Sequence, residues 1–235
     1  MRNIIIASTS TVHGSGYLEY LLDELSVFFK EAKEILFVPY ARPSGISHND
    51  YTKIVSVAFS KIGKTVTGLH TFKDPIKAIE EAEGIFVGGG NTFVLTDQLY
   101  RNNLIESLKS AVNNGTPYLG TSAGSNICGL TVKTTNDMPI VYPPSFNTLA
   151  FVPFNINPHY WDPDKNSTHM GETRETRIKE FHHFNTQPVV GLREGSWLYV
   201  MDDDIILKGN LKARIFEYAK APYEIEAQTS LKDLK

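Results

Sequence analysis

Pro117-Tyr118-Leu119-Gly120-Thr121-Ser122-Ala123-Gly124-Ser125-Asn126 decides how this chain is read. Pro117 to Thr121 predicts a strand, and Ala123 to Cys128 a short helical stretch. Gly120 to Gly124 therefore meets G-x-S-x-G in the strand–turn–helix setting that lifts a serine above a sheet. The glycines allow a tight turn and close helix–strand packing. The helix N-terminus aims N–H groups and partial positive charge at an anion formed there. A glycine-rich turn without chemistry is the plain alternative; the local setting favours Ser122 as a nucleophile.

Upstream of this turn, short β-branched or apolar runs alternate with helical patterns. Strands are expected at Asn3 to Ala7, Glu34 to Pro39, Thr65 to Leu69 and Gly84 to Val87. Between them, Tyr17 to Phe29, Asn49 to Ile62 (Ile54, Val55, Ala58, Phe59 and Ile62 inward) and Pro75 to Ala82 carry helical spacing. So do Thr92 to Tyr100 and Leu104 to Asn113. Repeated β-then-α units imply an α/β fold, a doubly wound, mostly parallel sheet with helices on both faces. The second half is less regular, with prolines from Pro139 to Pro163 marking loops and edges. A strand is expected at Phe151 to Ile156 and a helix at Glu172 to Phe184, with Ile178, Phe181 and Phe184 on it. Extra short strands are expected at Val189 to Leu192, Trp197 to Met201, Ile205 to Leu207 and Arg214 to Tyr218.

Composition sets the outer limits. Of 235 residues, 41% are apolar and 21% charged, as in a globular protein rather than a disordered one. A net charge of −3 and the lack of a Lys/Arg block argue against nucleic acid as a partner. The single cysteine, Cys128, excludes an intramolecular disulfide and fits a reducing compartment. Met1 to Ile6 reads as a first strand rather than a leader, and no apolar run approaches the roughly 20 residues of a membrane span. One domain over residues 1–235, in the cytoplasm and off the membrane, is the expectation; oligomeric state is left open.

A serine nucleophile needs a base, and the base an orienting acid. Asp137 and His159 follow Ser122 in the order Ser, Asp, His, one of the known triad orders. His182 and His183 suit a helix C-terminus, while His13, His48, His70 and His169 fall in loops or near element ends. No H-x-x-x-H or C-x-x-C spacing occurs, so neither a metal nor another cofactor is expected. Gly88-Gly89-Gly90-Asn91-Thr92 ends the strand expected beside that of Ser122. A glycine run there lets backbone approach a substrate, with one N–H, from Gly90, and a second, from Ala123, aimed at a developing oxyanion. The run lacks the G-x-G-x-x-G spacing and the lysine of nucleotide cradles.

GGGNTF (88–93), GTSAGSN (120–126), TTNDMPIV (134–141), INPHY (156–160) and GETRETRI (171–178) together resemble the dipeptidase E family of α-aspartyl dipeptidases. These are serine peptidases on a class I glutamine amidotransferase-like scaffold. The matches run in order and span nearly the whole chain. The resemblance implies a triad of Ser122, His159 and Asp137, with Glu194 a further contender for the acid, and hydrolysis of α-linked Asp-Xaa dipeptides. One departure is Thr121, where the family pattern has tryptophan beside the nucleophile.

An aspartyl side chain calls for a planar cation, and Arg174 and Arg177 share a helix face. Arg174 is the expected carboxylate receptor and Arg177 structural, while Glu194 or Asn91 could meet the substrate ammonium. The alternatives are a cyanophycinase-like or isoaspartyl peptidase on the same scaffold, and a small-ligand binding domain with a relict elbow. An amidotransferase would need cysteine where Ser122 stands.

Overall fold

Ile4, Ile5, Ile6 and Ala7 are consecutive and all fully buried, which is possible only in a strand covered on both faces. In the computed structural model, which describes residues 1–162, 168 and 170–235, the chain starts with that strand, β1 (Asn3–Ala7). Pro163 and His169 lie outside the described residues. The chain continues through α1 (Leu22–Phe28), β2 (Glu34–Val38), α2 (His48–Ser60), β3 (Thr65–Gly68), α3 (Pro75–Glu80) and β4 (Ile85–Val87). Next come α4 (Thr92–Arg101), α5 (Ile105–Asn113), β5 (Tyr118–Thr121), α6 (Ala123–Asn126), β6 (Asn155–Pro158) and α7 (Arg174–Phe181). The C-terminal part adds β7 (Val189–Leu192), β8 (Trp197–Met201), β9 (Asp204–Lys208), β10 (Ala213–Phe216) and β11 (Tyr223–Ile225).

A seven-stranded sheet runs in the order β3-β2-β4-β5-β1-β8-β9, parallel from β3 to β1 and antiparallel beyond. Alternate residues of one strand serve opposite faces. Ile4, Ile6, Leu36, Val38, Ile85 and Val87 pack with Leu95, Leu99, Leu108 and Val112 of α4 and α5. Ile5, Ala7, Ile35, Phe37, Phe86 and Leu119 pack with Leu25, Val55 and Phe59 of α1 and α2. Helices on both faces follow, as expected. A second sheet, β11-β10-β7-β6, stands beside the first, with β6 and β7 parallel. No helix among the described residues is long and apolar enough to cross a membrane.

Some expected details change. Phe151 to Ile156 is a strand only from Asn155, because the amides of Phe151 and Val152 bond to the Cys128 carbonyl and wrap the segment on the turn after α6. Helix α7 ends at Phe181, which leaves Phe184 93% exposed, and Ile54 turns partly outward on α2. The strand β11 had no expectation; its YEI sequence carries only a weak apolar signal.

Close packing at the turn beyond β5 has a measurable consequence. A β-carbon on Gly124 would drive into the Val87 carbonyl of β4, where backbone cannot yield cheaply. Gly124→Ala is expected to cost about 1–3 kcal/mol, read as a lower urea midpoint.

Candidate active site

The pieces of the site come from the carboxyl ends of adjacent strands. Ser122 follows β5 directly, at φ 54 and ψ −109, the strained elbow conformation that a sharp strand-to-helix turn demands. Its amide donates to the Ala7 carbonyl at 3.2 Å, and its own carbonyl accepts from the amides of Ser125 and Asn126. The Ser125 hydroxyl, 2.6 Å from the Ala7 carbonyl and 2.8 Å from that of Gly120, braces the turn from inside.

His159 follows β6 and also has a positive φ of 53. Its amide donates to the Ser8 hydroxyl at 2.8 Å, and that hydroxyl donates to the Leu192 carbonyl at 2.7 Å. On the other flank, the Asn136 amide group donates to the Pro158 carbonyl at 2.8 Å. The imidazole is thereby held with Nε2 2.9 Å from Ser122 Oγ and Nδ1 2.6 Å from Glu194 Oε1. A carboxylate only accepts, so Nδ1 carries the proton and Nε2 keeps the lone pair toward the serine hydroxyl. This is the tautomer a general base needs.

Asp137 was expected to orient the imidazole, and the geometry corrects that. Its Oδ2 accepts from the Thr92 amide at 2.7 Å and the Thr135 hydroxyl at 3.2 Å. Asp137 thus ties its loop to the first turn of α4, where a carboxylate is favoured by the free N–H groups. Glu194 holds His159 instead because β6 and β7 pair in parallel up to Pro158 and Leu192, which brings the next residues of both strands together. In Asn91, Oδ1 caps α4 on the Val94 amide and Nδ2 donates to the Met138 carbonyl, so its amide group also holds backbone at the start of α4.

The glycine run does meet the serine. A β-carbon on Gly89 would stand 3.0 Å from Ser122 Cβ. The Tyr51 hydroxyl donates to the Gly89 carbonyl at 3.2 Å, and since the peptide is trans and planar, the N–H of Gly90 points the opposite way. Gly90 itself, at φ 149, has the Ala41 carbonyl where a β-carbon would sit. Ala123, fully buried, opens α6 immediately after Ser122. Thr121 is fully buried at the end of β5.

His159, Glu194 and Arg174 line one cleft of about 590 Å³ together with Tyr160, Trp161, Asp162, Arg193 and Leu211. Arg174 opens α7, and its Nε and Nη1 are buried without an acceptor among the described residues. Burial first, then the charge of Arg177, hold the guanidinium below its ordinary pKa, while Glu194, Tyr160 and Asp137 pull it back up. Arg177 is mostly exposed and lies 3.7 Å from Glu172. Ser8 and Tyr51 were not singled out from sequence, although Ser8 directly follows the first strand, an edge where doubly wound sheets gather functional groups. Among the described residues no group of three or more His, Cys, Asp or Glu side chains could hold a metal ion.

Known proteins resemble this chain over most of its length. The family model described as Peptidase family S51 matches residues 4–208. "Peptidase E" of Streptomyces coelicolor is 49% identical over 232 residues, 99% of this chain and 94% of that protein. A "Probable alpha-aspartyl dipeptidase" of Drosophila melanogaster is 48% identical, over 92% of this chain and 90% of that protein. Among solved structures, a peptidase from an acI-B1 Actinobacterium superposes with a TM-score of 0.73 at 17% identity, covering 98% of this chain and 96% of the other.

The two carboxylates are separable by experiment. With a serine-reactive fluorophosphonate, Glu194→Gln is expected to slow Ser122 labelling by up to about 10⁴-fold, through loss of the correct tautomer. Asp137→Asn should chiefly lower stability, by about 0.5–2 kcal/mol as for loss of a helix cap. The reverse pattern would return the orienting role to Asp137.

Proposed function

The chain belongs to peptidase family S51, and on that premise we propose that it is a serine exopeptidase hydrolysing α-linked Asp-Xaa dipeptides through Ser122, His159 and Glu194. Ser122 Oγ attacks the peptide carbonyl carbon while its proton passes to His159 Nε2. Glu194 stabilises the resulting imidazolium from Nδ1. The oxyanion is met by the N–H groups of Gly90 and Ala123. Collapse of the tetrahedral intermediate breaks the C–N bond, and His159 returns its proton to the leaving amine. Water then enters by the same base and releases aspartate from the acyl-enzyme.

The observation that carries the reading is the hydrogen-bonded chain Ser122–His159–Glu194, at 2.9 and 2.6 Å, beside an Arg174 guanidinium with two buried donors unanswered among the described residues. Arg174 is half-buried, and buried guanidinium donors without an acceptor among the described residues are costly; a substrate carboxylate would supply one in bidentate geometry. The name of the Drosophila melanogaster relative supports the same substrate class. The cleft of about 590 Å³ lies on the Arg174 side of His159, and Ser122 is not among the residues lining it, so it suits the part of a small peptide that meets Arg174.

Two measurements test this. Ser122→Ala and His159→Ala should each abolish Asp-Leu hydrolysis in folded protein, with losses that do not add. Arg174→Ala should lower kcat/KM for Asp-Leu and narrow its advantage over Asn-Leu, since Asn-Leu leaves the cation under-paired at a cost of about 2–5 kcal/mol. Full retention of the Asp-over-Asn preference would move the anion receptor elsewhere, and faster cleavage of isoaspartyl-Leu than Asp-Leu would overturn the α-linkage.

A further inference from the structure

The pairing of β6 with β7 ends at Pro158 and Leu192, one residue before the base on one strand and two before its carboxylate partner on the other. One more backbone bond follows, from the Tyr160 amide to the Leu192 carbonyl at 3.1 Å, and beyond it the side chain of Arg193 bridges the two segments. Its Nε and Nη2 donate to Asp162 Oδ2, three residues beyond His159, at 3.2 and 2.7 Å. The same guanidinium lies over the Tyr160 ring, 5.5 Å from its centroid. Its Nη1 and Nη2 donate to Glu224 of β11 at 2.8 and 2.9 Å, and Nη1 to the Lys212 carbonyl at 2.7 Å. The Arg193 side chain is 17% exposed and Glu224 29%, whereas Asp162 is 56% exposed, so the Glu224 arm of the fork is the less screened.

The strap has a second arm. Glu224 also accepts from Arg214 of β10 at 3.4 Å, and Arg214 donates to Glu175 at 3.2 Å. Glu175 is the residue after Arg174 in the first turn of α7. One run of ion pairs thus touches the segments that carry His159, Glu194 and Arg174.

We infer that Arg193 is a positioning residue for the reaction: its planar fork sets the separation of His159 and Glu194, and through Glu224, Arg214 and Glu175 the placement of Arg174. The inference rests on the Ser122–His159–Glu194 reading. A lysine keeps the charge but cannot satisfy Asp162 and Glu224 with parallel donors, so it should not substitute.

The test uses the full-length chain, with rates normalised to folded protein measured by circular dichroism. Arg193→Lys and Asp162→Asn are expected to lower kcat for Asp-Leu about 10- to 100-fold, as misplacement of reacting groups does. Their kcat should fall by more than KM changes, because the loss falls on the reacting pair more than on the carboxylate receptor. Glu175→Gln should act more on KM than on kcat and narrow the Asp-Leu over Asn-Leu preference several-fold. Loss of stability alone would reduce the folded fraction without changing KM or kcat per folded protein. If Arg193→Lys and Asp162→Asn keep the parental kcat per folded protein while Glu194→Gln is crippled, the positioning role is overturned. If Glu194→Gln is itself unaffected, the Ser–His–Glu reading falls, and the inference with it.

Discussion

The Ser8 hydroxyl is fully buried just past the end of β1, accepting from the His159 amide and donating to the Leu192 carbonyl. Those two bonds join the sheets, since Ser8 extends a strand of the first while His159 and Leu192 belong to neighbouring strands of the second. The nucleophile leans on the same place, with the Ser122 amide and the Ser125 hydroxyl both on the Ala7 carbonyl. A serine from one sheet and an imidazole from the other therefore share a reference point two residues wide. Loss of that hydroxyl would leave the His159 amide without its partner and loosen the base from the nucleophile, while the Leu192 carbonyl keeps the Tyr160 amide.

Unfavourable local states gather around this point. Ser122 and His159 both hold positive φ values, which cost on the order of 1–3 kcal/mol each in residues with a β-carbon. Arg174 adds buried donors that no described residue answers. The surroundings hold these states in place: Gly89 presses on the serine side chain, Tyr51 holds the Gly89 carbonyl, and the two apolar layers fix the strands beneath. Strain and unmet charge belong where a reaction has to be prepared, and the rest of the fold offsets them.

Much of the first half is legible in the order of its amino acids. Runs such as Asn3–Ala7 and Glu34–Val38 are apolar without alternation because both faces are covered, and the turn at Gly120–Gly124 announces its own geometry. The later half is harder to read. Its strands are short, and Phe151 and Val152 are apolar because they pack on the turn after α6, not because they extend a sheet. Ile54 and Phe184 have helical spacing but no partner layer over them. Of the two arginines in GETRETR, spacing alone could not say which was buried.

By itself the sequence determined the alternation of strands and helices, the serine at the elbow, the glycine run beside it and the histidine that follows. Only the tertiary structure decided between two carboxylates. Asp137 and Glu194 are each one acid in a loop, and nothing in their spacing from Ser122 separates them. The parallel register of β6 on β7 carries Glu194 to His159 Nδ1, whereas the start of α4 draws Asp137 to the Thr92 amide. Local propensity cannot encode that choice, because it depends on which distant backbone each loop meets once the sheets have formed.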